Sequence, residues 1–431
     1  MQWQVAVIGA GAAGLLAAER AAHRGPSTLL IEKNRKPGAK ILMSGGTRCN
    51  VTQATDRRGI AAAFGQAGRF LHSALAALGP GDLVALLEEA GVATKVEPNG
   101  KVFPVSDRAR DVLSALVGRL ERSGAELALG EPVVEVVRVP GRAGGGGFRV
   151  VTARRTLRTE RVIVTTGGCS YPGCGTTGDG YRWLRALGHT IVPPRPALTA
   201  ITTDAAWVRA LRGVAVADVD VRVIEVATAE LDDARDFSPR RSLATCRGAF
   251  LFTHFGVSGP AALNISREIT ARAARRATGP TLMTDATGAA NAVAEEEATS
   301  VGDAVEVGGS HAATEPGRAL ALCCDFLPAI PADALDARIR RACDTAGKRR
   351  LVALLADELA AELTDGPTDG STGGPADGLA HRLVDRPAQQ LSQDLPDAPA
   401  AALPRRLVAT LVERAGLSEE LRASGLSRVA R

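Results

Sequence analysis

The chain has 431 residues, of which 45% are hydrophobic and 23% are charged. This length and composition exclude a wholly disordered chain and a single small binding module. The formal net charge is only +5 and aromatic residues make up 3% of the chain, so the sequence favours a small-molecule substrate and predicts no nucleic-acid partner.

The sequence lacks the patterns expected for membrane insertion or secretion. The longest apolar run that we identify, residues 5–18, is shorter than the ~18 uncharged apolar residues that a membrane-spanning helix needs. A strand-like pattern begins by Gln4 and leaves no basic region of a signal peptide before it. The seven scattered cysteines fit a reducing compartment. We therefore expect a cytoplasmic protein with no membrane partner, while the oligomeric state stays open.

The chain opens with the pattern of a strand, a glycine-rich turn, a helix and a second strand. Residues 4–8 and 28–31 have strand character, and Gly9–Gly14 between them fits G-x-G-x-x-G. Glu32 follows the second strand at about the spacing expected for an acid that binds ribose. Its carboxylate would accept hydrogen bonds from ribose hydroxyls and repel a 2′-phosphate. The pattern therefore predicts a nucleotide such as FAD or NAD.

Each glycine of this turn has a physical task. Gly9 permits the tight turn, Gly11 lets the backbone approach a pyrophosphate, and Gly14 allows the helix to pack closely on the strand. The N–H groups at the helix start, including those of Ala12 and Ala13, would face the phosphates.

Further elements follow in chain order. Residues 64–90 read as two helices split at Gly79-Pro80-Gly81, and Asn99-Gly100 marks a hairpin. Ser106-Asp107 would cap a helix that Gly124 ends. Three closely connected β runs then form an antiparallel meander, at residues 132–139, 148–153 and 156–165.

The texture of the sequence divides the chain into four predicted segments. They are an FAD-binding domain at residues 1–195, an inserted domain with a β-rich core and helices at 196–363, a flexible linker at 364–378 and a helical C-terminal segment at 379–431. Within the inserted domain, residues 277–318 are weakly patterned and read as a long insertion.

Five specific motifs occur in order along the first 270 residues. They are SGGTRCNVT (44–52), GKVFPVSDRARDVL (100–113), TTGGCSYPGCGTTGDGY (165–181), GHTIVPPRPAL (188–198) and LFTHFGVSGPAAL (251–263). These motifs resemble those of the bacterial NAD(P)/FAD-dependent oxidoreductases described as BaiN/RdsA-like or aminoacetone-oxidase-like flavoproteins.

The resemblance implies an α/β fold in which a Rossmann-like FAD-binding domain of the two-dinucleotide-binding-domain type, with a β-meander, carries an inserted mixed β/α domain and a helical C-terminal region. It also implies FAD as prosthetic group and an oxidoreductase acting on an unidentified small substrate. NAD(P)H would be a diffusible co-substrate, because the sequence has no second G-x-G-x-x-G unit between a strand and a helix. With the glycine turn, the cofactor-binding residues are predicted to be Gly9, Gly11, Ala12, Ala13, Gly14, Glu32, Lys33, Lys40, Ser44, Gly45, Arg48, Cys49, Asn50, Val134, Thr166, Gly167 and Gly168.

The chain departs from the family pattern in two places. Thr47 stands where the family has a glycine, and a β-branched residue would be strained if that position needs positive φ. The family also ends with a segment resembling GLYFAGE…GG.N that covers the flavin, and the 431 residues contain no such segment. The expectation is an incomplete cofactor site, so a non-catalytic or truncated flavoprotein remnant is the first alternative function.

The candidates for acid–base chemistry are Tyr171, Asp179 and His254. Tyr171 and Asp179 lie in the glycine-rich loop after the TTGG turn, where a substrate could approach the flavin. Asp179 could equally cap the helix that follows, and His254 could be a structural histidine at a strand end. Arg48 could face a phosphate or flavin oxygen, or pair with an acid.

Cys169 and Cys174 define the second alternative function, a flavin-linked thiol-disulfide reductase. Their spacing matches that of flavoprotein disulfide reductases, but the pair in those enzymes lies where Cys49 stands alone here. Two unrelated cysteines are therefore the favoured interpretation. The sequence also shows no Cys/His cluster with zinc spacing, so we predict no metal site.

Overall fold

The structure is a computed structural model, and it describes residues 2–140, 146–227, 242–277, 305–306, 318–345, 349–361 and 403–415. The chain divides into two compact units, Met1–Pro194 and Arg195–Arg431. Most of the predicted insertion at 277–318, all of the predicted linker at 364–378 and most of the predicted segment at 379–431 lie outside the described residues.

The first unit is built on a six-stranded sheet in the order β6-β2-β1-β9-β8-β7. Strands β6, β2, β1 and β9 are parallel, whereas β9, β8 and β7 form the predicted antiparallel meander. The strands are β1 (Gln2–Ile8), β2 (Thr28–Ile31), β6 (Glu126–Ala128), β7 (Val133–Val139), β8 (Gly147–Thr152) and β9 (Thr156–Val164).

Helices α1 (Ala12–His23) and α6 (Ala109–Arg122) pack together against this sheet. Leu15 and Ala18 of α1, like Leu116 and Leu120 of α6, recur at helical spacing and are buried in one hydrophobic cluster with Val7. A second cluster includes Trp3, Val150 and Trp183, the last from helix α7 (Asp179–Ala186). The parallel strands are therefore apolar on both sides.

A group of short helices and a small sheet follows the first βαβ unit in the chain. It contains a three-stranded sheet in the order β3-β5-β4, in which Gly100 has a φ of +77° at the predicted hairpin turn. Its elements are α2 (Ala39–Met43), β3 (Thr52–Gln53), α3 (Arg57–Ala63), a 3₁₀ helix (Gly65–Leu71), α4 (His72–Ala77), α5 (Pro80–Glu89), β4 (Thr94–Val96) and β5 (Lys101–Pro104).

The predicted cap of α6 is wrong. Arg108 occupies the N-cap, and no side chain caps the helix. Asp107 has a φ of +52°, and its carboxylate instead lies 2.5 Å from Lys95 Nζ. The carboxylate is thus paired with Lys95 of β4 and is not bonded to the first N–H groups of the helix.

The second unit contains a mixed six-stranded sheet in the order β14-β10-β13-β12-β11-β15. Its strands are β10 (Ile201–Thr202), β11 (Ala215–Ala227), β12 (Ala244–Phe252), β13 (Gly256–Ser258), β14 (Val305–Glu306) and β15 (Arg318–Asp325). The helices are α8 (Ala206–Ala210), α9 (Pro260–Ala277), α10 (Ala332–Thr345), α11 (Leu351–Ala361) and α12 (Arg405–Arg414). Val221, Phe250, Ile265 and Leu407 share its core, so α12 belongs to the same packed body as β11, β12 and α9.

One stretch that the sequence analysis overlooked, Gly65–Glu89, is long and apolar enough to cross a membrane by length and composition alone. In the structure it consists of the 3₁₀ helix, α4 and α5, with Leu78 and Gly79 between the two α-helices. Such a stretch is weak evidence for a span, and the absence of a membrane partner stays a prediction.

Candidate cofactor site

The carboxyl ends of β1, β2 and β9 meet at one edge of the first sheet. Ile8 pairs with Ile31 of β2 and with Val164 of β9, so Gly9, Glu32 and Thr165 come together just beyond the strands. Thr165 Oγ1 donates to the carbonyl oxygens of Ile8 and Gly9 at 2.8 and 2.9 Å. This is the edge where open α/β sheets bind ligands.

The glycine turn has the geometry of a phosphate cradle. Gly9 has a φ of +102°, and an added Cβ there would lie 2.8 Å from the Thr165 carbonyl oxygen. An added Cβ on Gly14 would lie 1.8 Å from the Gly9 carbonyl oxygen, which shows how closely α1 approaches the strand. At Gly11 an added Cβ would meet nothing within 4 Å, so the space beside it is open.

The start of α1 leaves its N–H groups available to a ligand. Gly11 is the N-cap and offers no side chain to accept from them, and Ala12 and Ala13 are exposed. Because the first N–H groups of a helix have no partner within the helix, this terminus can bind an anion. Open space at Gly11 and uncapped N–H groups together fit a pyrophosphate.

Glu32 holds the glycine turn and ends the neighbouring strand. Its carboxylate is 8% exposed and accepts from the Ala10 N–H at 2.7 Å and from the Asn34 N–H at 2.8 Å. An ionised carboxylate has about four lone-pair sites, so two remain for ribose hydroxyls. The carboxylate therefore shapes the glycine turn, and its role as a ribose acceptor stays a prediction.

Val134 and the TTGG turn flank the same edge. Val134 lies at a bulge in β7 and is 55% exposed, and its carbonyl oxygen accepts from Trp183 Nε1 at 3.1 Å. Gly167 has a φ of +74°, and the Gly168 carbonyl oxygen accepts from the Gly178 N–H at 3.2 Å. The turn that includes Thr166 is thus fastened to the loop beyond it.

The segment from Ser44 to Asn50 is a strained turn. Gly45, Gly46, Thr47 and Cys49 have φ values of +59°, +65°, +71° and +68°. Thr47 therefore meets the condition under which its β-branched side chain is strained. An added Cβ on Gly45 would lie 2.7 Å from the Asn50 nitrogen, so the turn has no room for a side chain there.

Two polar residues of this turn serve its structure. The Ser44 carbonyl oxygen accepts from the Cys49 N–H at 2.9 Å. Burial raises the pKa of the Cys49 thiol, and the hydrogen bond with Ser44 opposes that rise. Cys49 is therefore held in its neutral form inside the packed turn, whereas Asn50 is exposed beside it.

Arg48 forms an ion pair with an acid, which was one of the two roles that the sequence left open for it. Its Nη1 lies 2.5 Å from Glu97 Oε1, and its guanidinium carbon lies 4.0 Å from the centre of the Phe103 ring. The Glu97 hydrogen bond is the main cause of a raised pKa for Arg48. The guanidinium thus joins the strained turn to the β4–β5 hairpin.

Lys33 and Asn34, which directly follow Glu32, anchor the loop of residues 169–178. Lys33 Nζ donates to Thr177 Oγ1 at 2.8 Å and to Asp179 Oδ2 at 3.0 Å. Asn34 Nδ2 donates to the Cys174 carbonyl oxygen at 3.0 Å. The predicted cofactor residue Lys33 therefore binds this loop.

Asp179 does not cap α7, because Gly178 is the N-cap and Asp179 is the first helical residue. Partial burial opposes ionisation of its carboxyl, but hydrogen bonds from Thr177 and Lys33 outweigh that effect and lower its pKa. Asp179 is therefore an ionised partner of Lys33 at neutral pH.

The same loop carries Tyr171 and two cysteines, and its Cys174 contacts α2. Cys174 Sγ lies 2.8 Å from Met43 Sδ, and Tyr171 has a φ of +58°. Desolvation, and then the nearby Cys174, raise the pKa of Tyr171. Desolvation lowers the pKa of Lys40, and the charges of Cys174 and Cys169 oppose this change. Cys169 and Cys174 are free thiols.

His254 belongs to the second unit, whereas Tyr171 and Asp179 belong to the first. It lies in the exposed turn between β12 and β13, with its ring centre 4.8 Å from that of Phe255. Within the described ranges no group of three or more His, Cys, Asp or Glu could hold a metal, so the absence of a metal site stays a prediction.

Several residues of the site escaped the sequence analysis. Thr165 fastens the end of β9 to the end of β1, and Asn34 and Thr177 fasten the loop to the residues after β2. Glu97 and Phe103 hold Arg48. All five lie within or beside the motifs that were identified. The residue types alone did not indicate which groups these five side chains would contact in the folded chain.

Comparison with known proteins identifies the family. A family model described as HI0933-like protein Rossmann domain matches residues 3–359. The ribosomal RNA dihydrouridine synthase of Escherichia coli (strain K12) is 34% identical over 260 residues, which are 60% of this chain and 59% of that protein. The 3-dehydro-bile acid delta(4,6)-reductase of Clostridium scindens is 29% identical over 269 residues, 62% of this chain and 60% of that protein. The matched part of the chain thus spans about three fifths of these relatives.

Among solved structures, the open conformation of a flavocytochrome c3 fumarate reductase aligns with 53% of this chain and 47% of its own, at 17% identity and a TM-score of 0.31. The predicted Rossmann-like FAD-binding fold is confirmed. Since the family model covers most of the sequence, the chain belongs to the HI0933-like Rossmann family, whose members are FAD-dependent oxidoreductases.

Proposed function

We propose that this protein is an FAD-dependent reductase that saturates a carbon–carbon double bond conjugated to a carbonyl group. The observation that carries the proposal is that the loop of residues 169–178, which carries Tyr171, contacts α2, which carries Lys40, through Cys174 Sγ and Met43 Sδ at 2.8 Å. These proton-bearing groups belong to the same unit as a turn that fits a dinucleotide.

The names of the relatives suggest the reaction class. Dihydrouridine is uridine with one ring double bond reduced, and the bile acid enzyme is named for the reduction of ring double bonds in a 3-dehydro bile acid. In both uridine and the 3-dehydro bile acid, the double bond that is reduced is conjugated to a carbonyl. Such a bond gains a hydride at the carbon remote from the carbonyl and a proton at the adjacent carbon.

The ADP half of FAD would be held by the start of α1 and by Glu32. The N–H groups of Ala12 and Ala13 would face the pyrophosphate, and Glu32 would accept from the ribose. Val134 would contact the adenine, and the turns at residues 44–50 and 166–168 would contact the flavin half. When bound and reduced, FAD supplies the hydride, and NAD(P)H would be its diffusible reductant.

Tyr171 would hold the proton. A tyrosine phenol carries its proton at neutral pH, whereas the lowered pKa of Asp179 leaves that carboxylate without a proton to give. The Tyr171 hydroxyl would donate to the substrate carbon adjacent to the carbonyl. The Lys40 ammonium would stabilise the negative charge that develops on the carbonyl oxygen.

An anaerobic experiment with 2-cyclohexen-1-one tests the function. The FAD-loaded chain is reduced with NADPH, or with dithionite if NADPH fails, and mixed with the enone. Reoxidation of the flavin together with formation of cyclohexanone is expected. Oxidation by cystine and not by the enone would favour the thiol-disulfide alternative, and oxidation by neither would favour the non-catalytic remnant.

A matched pair of variants tests the proton donor. The chain has two tyrosines, so Tyr171→Phe can be compared with Tyr181→Phe. Loss of a positioned acid should slow enone reduction by about 10²- to 10⁴-fold in Tyr171→Phe only. FAD affinity should be unchanged in both, and equal rates would show that Tyr171 is not the donor.

A further inference from the structure

Backbone strain is concentrated in and beside the turn of residues 44–50. In the part of the chain that the structure describes, four residues other than glycine have a positive φ. Three of them lie here, namely Thr47 and Cys49 in the turn and Asp107 in the segment bonded to it. That bond joins the Ala109 N–H to the Thr47 carbonyl oxygen at 3.0 Å. A turn with such a backbone persists only if surrounding contacts hold it.

Four charged side chains of alternating sign lie beside the turn. We call them the charge chain, and in order of contact they are Glu97, Arg48, Asp107 and Lys95. Arg48 Nη1 lies 2.5 Å from Glu97 Oε1 and 3.5 Å from Asp107 Oδ1. Lys95 Nζ lies 2.5 Å from Asp107 Oδ2. The two inner members, Arg48 and Asp107, thus each have two partners of opposite charge.

Arg48 connects the charge chain to the backbone of the turn. Its Nε donates to the Gly45 carbonyl oxygen at 3.4 Å, and its guanidinium carbon lies 4.0 Å from the centre of the Phe103 ring. The same ring packs on the turn, because an added Cβ on Gly45 would lie 2.6 Å from Phe103 Cε1. Phe103 is buried. The guanidinium is therefore held between the turn, a buried ring and two acids.

The exposure of the charge chain bears on how it can act. Its four side chains are between 24% and 40% exposed. An isolated ion pair at such a site contributes little to stability, whereas several charges with shared partners form a network. This network joins three parts of the first unit, which are the strained turn, the β4–β5 hairpin and the start of α6. It is therefore placed to oppose relaxation of the turn.

We propose that Glu97, Asp107 and Lys95 are positioning residues, which act through Arg48 to hold the strained turn in the conformation that receives the flavin half of FAD. The charge chain opposes the strain at Thr47 before the cofactor binds. This inference rests on the proposed function in one respect, because the contact of residues 44–50 with the flavin half is part of that proposal. The three positioning residues need no contact with the cofactor themselves.

Variants that remove one charge and keep the shape of the side chain test the charge chain. Glu97→Gln and Asp107→Asn should each weaken FAD binding by roughly three- to tenfold, because only the fraction of molecules with the strained turn binds the cofactor. The matched control is Asp218→Asn, which breaks the ion pair with Arg247 in the second unit and should leave FAD affinity unchanged. Titration of the flavin-free chain with FAD measures all three.

Relief of strain at Thr47 provides the discriminating variant. Glycine adopts a φ of +71° without strain. Adding Thr47→Gly to Glu97→Gln should therefore restore FAD affinity to within about twofold of the parent value, and Thr47→Gly alone should change it by less than about twofold. Rescue separates positioning from direct contact of Glu97 or Arg48 with FAD, which strain relief would not repair. Circular dichroism checks that every variant is folded.

Hydrogen exchange of the flavin-free chain reports on the turn without any cofactor. The Cys49 N–H donates to the Ser44 carbonyl oxygen at 2.9 Å, so its exchange measures opening of the turn. Exchange should be about threefold faster or more in Glu97→Gln and Asp107→Asn than in the parent. Adding Thr47→Gly should return it toward the parent rate, and Asp218→Asn should not change it.

The outcomes separate this inference from the proposed function. Parent-like exchange and FAD affinity in both Glu97→Gln and Asp107→Asn would overturn it, even if the enone is reduced. Weakened affinity that Thr47→Gly does not restore would overturn it as well, and so would a parent chain that binds no FAD. Weakened affinity and faster exchange, both reversed by Thr47→Gly, support it whether or not the enone is reduced.

Discussion

Glu32 shows how one side chain serves both the fold and the ligand. Its two oxygens accept from N–H groups on both sides of the sheet edge, at Ala10 and Asn34. The same carboxylate is the predicted ribose acceptor. The motif therefore specifies a residue whose loss should loosen the glycine turn as well as remove the predicted ribose contact.

We expect Glu32→Ala to weaken FAD binding by about 1.5–3 kcal/mol, because a buried ribose would lose a charged acceptor. Glu32→Gln, which keeps an acceptor oxygen, should lose less. Gly11→Val should abolish binding, since its side chain would fill the open space beside the turn. Titration calorimetry measures all three, and unchanged affinity in Glu32→Ala would contradict the site.

At Thr47 the backbone has a φ that is unfavourable for a β-branched side chain. At a φ of +71°, glycine avoids strain that costs a β-branched residue on the order of 1–3 kcal/mol. Part of this gain is lost to the greater entropy of glycine in the unfolded chain. We therefore expect Thr47→Gly to raise the free energy of unfolding by about 1 kcal/mol. Urea denaturation checks this, and Thr47→Ala, which keeps a Cβ, should gain less.

At the scale of elements, the loop of residues 169–178 is positioned by strand β2. Lys33 and Asn34, which follow the strand, bind Asp179, Thr177 and the Cys174 carbonyl. A glycine-rich loop without such bonds would sample many conformations. These bonds to the residues after β2 hold the loop in the position from which Cys174 contacts Met43 of α2.

The Lys33–Asp179 pair should make stability depend on pH in a defined direction. Because the folded-state pKa of Asp179 is lowered, its contribution is present at neutral pH and is lost as the pH falls through that value. Asp179→Asn should therefore destabilise the chain at neutral pH but not at a pH below that lowered folded-state pKa. The pair is about one-third exposed, so the effect should be under about 1 kcal/mol.

Urea denaturation at the two pH values measures this effect. Lys33→Met should remove the same contribution, so the double variant should lose little more than either single one. Equal destabilisation by Asp179→Asn at both pH values would contradict the pairing.

The two cysteines of the loop should be dispensable for electron transfer. Cys174 Sγ contacts Met43 Sδ, and we interpret the pair as incidental. Cys169→Ser and Cys174→Ser should therefore leave the rate of flavin reduction unchanged in stopped-flow measurements. A thiolate-to-flavin charge-transfer band that either substitution removes would restore the disulfide-reductase alternative.

At the scale of the whole molecule, each compact unit has its own hydrophobic core. Leu15 is buried in the first unit beside the nucleotide turn, whereas Leu407 is buried in the second. Truncating a buried leucine to alanine typically costs about 2–5 kcal/mol. A truncation in one core should therefore destabilise mainly the unit that contains that core.

We expect Leu407→Ala to destabilise the second unit while leaving FAD affinity within about twofold of the parent value. Leu15→Ala is the matched control and should lower both stability and FAD affinity. Calorimetric unfolding together with FAD titration distinguishes the two. A large loss of affinity in Leu407→Ala would show that the second core supports the cofactor site.

The sequence by itself determined the nucleotide turn, the acid after β2 and the meander. These features follow from local rules: a left-handed φ at Gly9, close packing at Gly14 and alternation along strands are encoded within a few residues. Tertiary structure decided which side chains meet. Lys33 and Asp179 are 146 residues apart in the chain, and Met43 and Cys174 are 131 apart. From the sequence, Arg48 could bind either a ligand or an acid. In the structure, the β4–β5 hairpin places Glu97 and Phe103 against it. The partner of such a side chain depends on groups that only the folded chain brings together.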